Sequence, residues 1–158
     1  MIGEKNTTIL DLAVSPLWEQ GGFMTTGKTV IGGPLVIGGR KLSLSRAIRA
    51  GDNVYLTGQI PMQDGVPMTV GSIEDQTRAV LDAITETLAL AGCNRADVVK
   101  AMIWLRDRAD FPGFNAVYAE YFPEDPPARS AVVSDLLVDC RVEVEVVAWR
   151  PLPKDSGQ

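Results

Sequence analysis

Between residues 142 and 147, valines at 142, 144 and 146 alternate with Glu143 and Glu145. A period of two is the pattern of a strand that buries one face and leaves the other polar. This run therefore commits the chain to a sheet and places both carboxylates on the face opposite the valines. A second constraint lies just upstream, in Pro126-Pro127-Ala128-Arg129-Ser130. The prolines hold the approach extended, since proline fixes its own φ and pushes the preceding residue out of the helical region. Residues 128–133 are short, apolar and β-branched, and read as another strand with Arg129 near its start. A guanidinium is a planar fork that fits a carboxylate in bidentate fashion. Arg129 and Glu143 on neighbouring strands could hold a small acid beside a water. They could equally pair with each other or point into solvent.

The composition narrows the chemistry. The 158 residues contain no histidine and two cysteines, Cys93 and Cys140, far apart in the chain. The commonest general base and the commonest metal ligand are thus absent, and a structural zinc site is not expected. Any reaction must be run by carboxylates, arginine, hydroxyls, backbone groups and water. The cysteines read as buried thiols of a reducing compartment. A net charge of −5 and a pI of about 4.7 argue against nucleic-acid binding through phosphate neutralisation. No apolar run reaches the roughly 18 to 20 residues of a membrane span, and no secretory signal pattern opens the chain. The expected setting is cytoplasmic.

One domain is expected from the length, divided as an N-terminal arm over residues 1–40, a domain over 41–151 and a tail over 152–158. The arm carries scattered glycines and little periodicity, and residues 1–23 read as loosely ordered. Gly22 to Thr29 matches the phosphate-cradling pattern GxxxxGK[ST]. That loop works only where a helix N-terminus follows it, and Val30-Ile31-Gly32-Gly33-Pro34 cannot open one. Residues 42–49 and 53–57 form two strands around the turn Ala50-Gly51-Asp52. A helix over 72–91 has Ser72 and Asp75 in a capping-box arrangement, the stripe Ile73, Val80, Leu81, Ile84, Leu88 and Ala91 facing the core, and Gly92 just beyond its end. A strand follows over 98–105, with Val99, Ala101, Ile103 and Leu105 on one face. Asp110 caps a second helix through residue 122, with Phe111, Phe114, Val117, Tyr118 and Tyr121 as core and Asn115 as a candidate site residue. Strands over 128–133 and 141–149 complete the order. The reading is α+β: a mixed sheet with two helices on one face, its other face suited to self-association.

From residue 45 to 149, about two thirds of the chain, the sequence resembles the Rid family of reactive intermediate deaminases, also called YjgF or L-PSP proteins. The matching pieces are Arg46-Ala47, Gly51-Asp52, Val54-Tyr55-Leu56-Thr57-Gly58-Gln59-Ile60-Pro61, Gln76-Thr77, Ala91-Gly92, Asp110-Phe111 and Asn115-Ala116-Val117-Tyr118. Pro127-Ala128-Arg129-Ser130 and residues 142–148 complete the set, and these last two are the most specific. The resemblance implies a chorismate-mutase-like fold assembled as a homotrimer, with sites in clefts between subunits. It implies hydrolysis of 2-imino acids, tautomers of 2-aminoacrylate-type enamines, to 2-oxo acids and ammonia, without cofactor or metal. It assigns Arg129 to the substrate carboxylate and Glu143 to the attacking water. Thr57 stands where the family usually has serine, and Gly58, Ser130, Ala131 and Asn115 line the same pocket. Two positions depart from the pattern: Leu44 replaces a pocket tyrosine, and Ala131 a frequent cysteine. A more apolar pocket is expected. The alternatives are a trimeric protein that binds a carboxylate metabolite at Arg129 without turnover, and the ribonuclease or translation-inhibitor role sometimes attached to the family, against which the acidic charge and missing histidine weigh.

Overall fold

A computed structural model of the chain describes residues 27–37 and 39–152. Its strands are β1 (Lys28–Ile37), β2 (Arg40–Ala50), β3 (Asn53–Leu56), β4 (Met62–Gln63), β5 (Val66–Pro67), β6 (Val98–Leu105), β7 (Ala128–Val133) and β8 (Val142–Trp149). Its α-helices are α1 (Ile73–Leu90) and α2 (Phe111–Tyr121). Six strands form one sheet in the order β1-β2-β3-β8-β6-β7, and β4 and β5 make a separate small hairpin. All neighbours in the large sheet run antiparallel except β6 and β7, which are parallel and joined through α2. A parallel pair needs such a crossover.

Every residue of the predicted α1 stripe is buried. The Ser72 hydroxyl accepts from the Asp75 backbone N–H, so the helix is capped. The Asp75 carboxylate accepts from that hydroxyl rather than from the Ser72 backbone N–H, and only half of the expected capping box forms. Gly92 takes φ +70° past the helix end, a conformation that costs glycine least. No basic residue lies in the last turn of α1. Arg49 of β2 takes that role, donating to the Ala91 carbonyl at 2.8 Å, where a cation meets the negative end of the helix dipole. The stripe packs on Ala47, Val54, Leu56, Ala101, Ile103, Leu105, Val142, Val144, Val146 and Ala148, joined by Phe114 and Tyr118 of α2. Both helices therefore cover one face of the sheet. Cys93 and Cys140 are buried free thiols, and burial pushes both up from the ordinary thiol range.

Four readings are corrected. The segment expected to belong to an arm contains β1, which pairs with β2 from Lys28 to Ile37. The expectation that no helix follows the GxxxxGK[ST] match agrees with Lys28 and Thr29 opening β1, while residues 22–26 of the match lie outside the described residues. The expected loose order of residues 1–23 likewise falls outside them. In β6 the pairing with β8 shifts register between Val98 and Lys100. This irregularity buries Val98 and leaves Val99 48% exposed, against the expected alternation. Phe111 is 40% exposed, and Tyr121 only packs at the core margin.

Asp110 is the fourth correction. It stands at the N-cap of α2 but makes no side-chain cap bond. Its carboxylate is instead held by the Arg141 guanidinium, through Nη2 and, at 3.1 Å, Nε. The preceding Asp107 caps the short 3₁₀ turn over Arg108–Asp110. Because Asp110 is only 3% exposed, Asp110→Asn is expected to destabilise the fold by about 1.5–3 kcal/mol, the range for a hydrogen bond to a charged group. Urea unfolding would show it as a lower midpoint with unchanged m-value.

Candidate functional site

In a pleated pair, residues directly opposite each other share a face of the sheet. Ala101, fully buried beneath the helices, is opposite Arg129 in β7. Arg129 therefore rises on the helix side. Its guanidinium lies over the rings of Tyr118, Phe114 and Phe111 at 4.7, 5.7 and 5.8 Å, and its Nη2 donates to Asn115 Oδ1 at 2.9 Å. Two turns of α2 thus supply both a π surface and a carbonyl that orient the cation. Asn115, Tyr118, Ala119, Phe122, Pro126, Pro127 and Arg129 border a cavity of about 420 Å³. Among the described residues no carboxylate pairs with Arg129.

Glu143 is opposite Trp104, and Glu145 opposite Met102, on the other face. The valine and glutamate alternation holds as read: Val142, Val144 and Val146 are buried, and the glutamates are half-buried on the open side. Burial pushes the Glu143 carboxyl above the usual carboxylate range, and the nearby charge of Glu145 adds to it. Thr57 and Gly58 lead out of β3. The segment is clamped by a two-way backbone bridge between Gln59 and Val144, at 2.8 and 2.9 Å, which draws Gly58 across Glu143. A Cβ added at Gly58 would overlap Glu143 Oε1 and lie 3.1 Å from its Cδ. Glycine is needed here for close approach rather than for an unusual φ. Thr57 and Gly58 also border a cavity of about 260 Å³ with Leu35, Val36, Ile37, Arg46 and Ile60. Gly58→Ala is expected to push the Glu143 carboxylate aside with little change in Tm. A crystal structure of the variant would reveal the displaced carboxylate.

The expected residues thus fall into two groups. Arg129 and Asn115 meet at one end of the sheet, with Ala131 on the same face of β7. Thr57, Gly58 and Glu143 meet at its centre. Ser130, on the open face, accepts from Lys100 Nζ at 3.2 Å. Leu44 sits on β2 beyond the part paired with β3 and is 41% exposed. The expectation that Arg129 and Glu143 lie on neighbouring strands is corrected. Strand β6 runs between β7 and β8, two strand spacings or roughly 10 Å, and the two side chains leave opposite faces. The aromatic platform under Arg129 is built from residues expected as core. Its helical spacing was visible in the sequence, but not the strand it would face. Among the described residues no cluster of three or more His, Cys, Asp or Glu could hold a metal ion, and no helix is long and apolar enough to cross a membrane.

Together these features define an α+β protein with a cation pocket under one helix and a carboxylate on an uncovered sheet face. Residues 41–150 match the family model described as Endoribonuclease L-PSP, and the chain belongs to that family, which also carries the names YjgF, RutC and Rid. A RutC family protein of Pyrococcus horikoshii is 45% identical over 108 residues, 67% of this chain and 86% of that protein. The 3-aminoacrylate deaminase RutC of Acinetobacter baylyi is 42% identical over 104 residues, 65% of this chain and 82% of that protein. The 2-iminobutanoate/2-iminopropanoate deaminase of Dermatophagoides farinae is 37% identical over 105 residues, again 65% and 82%. Among solved structures, yeast Mmf1 superposes with a TM-score of 0.70 at 32% identity, covering 78% of this chain and 98% of its own. The Rid protein YyfA of Yersinia pestis gives 0.69 at 35% identity, with 77% and 98% covered.

Proposed function

We propose that the protein is an enamine/imine deaminase that hydrolyses 2-imino acids to 2-oxo acids and ammonia. The carrying observation is Arg129: a guanidinium oriented by Asn115 and three aromatic rings, bordering a cavity, with N–H donors to spare and no carboxylate among the described residues to occupy them. Such a fork holds a substrate carboxylate in bidentate fashion. The relatives named as deaminases of 3-aminoacrylate and of 2-imino acids favour the same reading.

The active unit is a homotrimer, and each site lies between subunits. Within one chain Arg129 and Glu143 lie on opposite faces, so an Arg129 pocket is completed by Glu143 of the partner subunit. Two features support association. Strand β7 is an exposed apolar edge with unpaired backbone groups on one side. The open sheet face carries Tyr55, Val132 and Trp149, each more than two fifths exposed.

The chemistry asks little of the protein. A protonated imine is already electrophilic, so the principal work is positioning. Arg129 fixes the carboxylate. Glu143 takes a proton from a water as its oxygen bonds to the imine carbon, and returns it to nitrogen. The C–N bond then breaks as the carbinol hydroxyl gives its proton to Glu143, leaving the 2-oxo acid, and that proton leaves with the departing ammonia as ammonium. A carboxylate whose pKa is raised by burial is better matched to that proton traffic near neutral pH than an exposed one. The test is ammonia and 2-oxo acid release from imino acids generated in situ by an amino acid oxidase, over small and bulky side chains, with buffer hydrolysis as baseline. Acceleration supports the reading. No acceleration for any side chain sinks it.

A further inference from the structure

Tyr118 is 5% exposed, and its hydroxyl is the only buried side-chain polar atom among the described residues with no hydrogen-bond partner. A buried donor left unmade is costly. Its neighbours on α2 cannot relieve it: Phe114 and Phe122 pack against its ring at centroid distances of 5.4 and 4.6 Å. On its other side the ring carries the Arg129 guanidinium at 4.7 Å. The open space it borders is the 420 Å³ cavity it shares with Arg129 and Asn115.

We propose that Tyr118 is a substrate-binding residue, donating a hydrogen bond to the carboxylate that Arg129 holds. This rests on the reading of Arg129 as the carboxylate clamp and adds to it a neutral donor fixed in the same pocket. Arg129 Nη2 gives one N–H to Asn115 Oδ1, and the remaining guanidinium donors are left for the ligand. Burial raises the Tyr118 hydroxyl to about 12, so it remains a protonated donor at every pH at which the protein would work. The apolar walls of Phe122, Pro126 and Pro127 strengthen a hydrogen bond made there. The ligand class that follows is a small 2-oxo or 2-imino acid whose carboxylate enters between α2 and the Pro126-Pro127 segment.

The test compares wild type with Tyr118→Phe by calorimetric titration of 2-oxobutanoate, alongside kinetics on the matching imino acid and Tm. The expected result is binding weakened about tenfold or more, a similar rise in KM and a kcat changed far less. Tm should be unchanged or higher, because the variant removes an unsatisfied buried hydroxyl. Equal affinity in both proteins would mean that the hydroxyl meets only water. That outcome overturns this inference and leaves the deaminase reading standing. Wild type that neither binds a 2-oxo acid nor turns over an imino acid overturns both. If Tyr118→Phe fails to fold, the Raman tyrosine doublet of wild type serves instead. With three tyrosines in the chain, one should shift to the strong-donor ratio on adding 2-oxobutanoate, and an unshifted doublet is the contrary outcome.

Discussion

Arg129→Ala is expected to lower kcat/KM on 2-imino acids by about ten- to a hundredfold or more. A charged hydrogen bond of good geometry is worth roughly 1.5–3 kcal/mol, and each 1.36 kcal/mol is about a factor of ten in rate. In the proposed complex the bidentate fork would make two such bonds and also set the distance between the imine carbon and the water. Arg129→Lys should recover little of the loss. An ammonium cannot offer two parallel N–H groups, and it would give up the planar contact with the Tyr118, Phe114 and Phe111 rings. Stability should move modestly in both variants, because Arg129 is half-buried and its hydrogen-bond partner Asn115 is exposed. Loss of activity without loss of the folded state, followed by circular dichroism and single-turnover kinetics, is the expected pair of results. An Arg129→Ala protein as active as wild type would remove Arg129 from the site.

The second large effect belongs to Glu143. Glu143→Gln keeps shape and removes the proton acceptor, and a general base of this kind contributes roughly 10²–10⁴-fold. The stability effect has the opposite sign. The folded-state pKa of Glu143 is raised, first by burial and then by Glu145. The folded protein therefore prefers the protonated acid, and the stability this group contributes is present at acid pH and lost as pH rises through its folded pKa. Glu143→Gln should accordingly have a higher Tm than wild type at pH 7 to 8. The gap should close as pH falls below about 4.3, the unperturbed value for glutamic acid. A Tm difference independent of pH would show that the carboxyl is not strained in the folded state.

The two variants together test the shared site. When Arg129→Ala and Glu143→Gln chains are unfolded, mixed in equal amounts and reassembled, some interfaces receive an intact Arg129 from one chain and an intact Glu143 from the next. Random assembly into closed rings should restore about a quarter of wild-type activity. Pure preparations of either variant should stay inactive. If both residues acted from the same chain, no mixture would recover anything.

Much of this was legible along the chain because it depends on local periodicity. The α1 stripe, its Ser72 cap, the hairpin turn at Gly51 and the split of valines from glutamates in β8 each follow from a repeat of 3.6 or 2 and from the backbone preferences of single residues. So does the short strand over residues 128–133 that opens behind the Pro126-Pro127 approach and carries Arg129 near its start. The rest depended on contacts between segments far apart. That β1 completes the sheet edge could not be read from a glycine-spaced run with no clean period. Asp110 carried the signature of a helix cap, yet Arg141, 31 residues away, outbids the backbone for its carboxylate because an ion pair with two hydrogen bonds is stronger than one bond to an amide. The register shift at Val98 to Lys100 turned Val99 outward, and only the partner strand specifies that. Strand order decided most. By entering between β7 and β8, β6 separated Arg129 from Glu143 and sent them to opposite faces. The residue types in the sequence determined that an arginine and a glutamate, rather than histidine or a metal-ligand set, are present for any such chemistry. The tertiary structure decided that one chain cannot bring them together, because a sheet has two faces and a side chain can leave from only one.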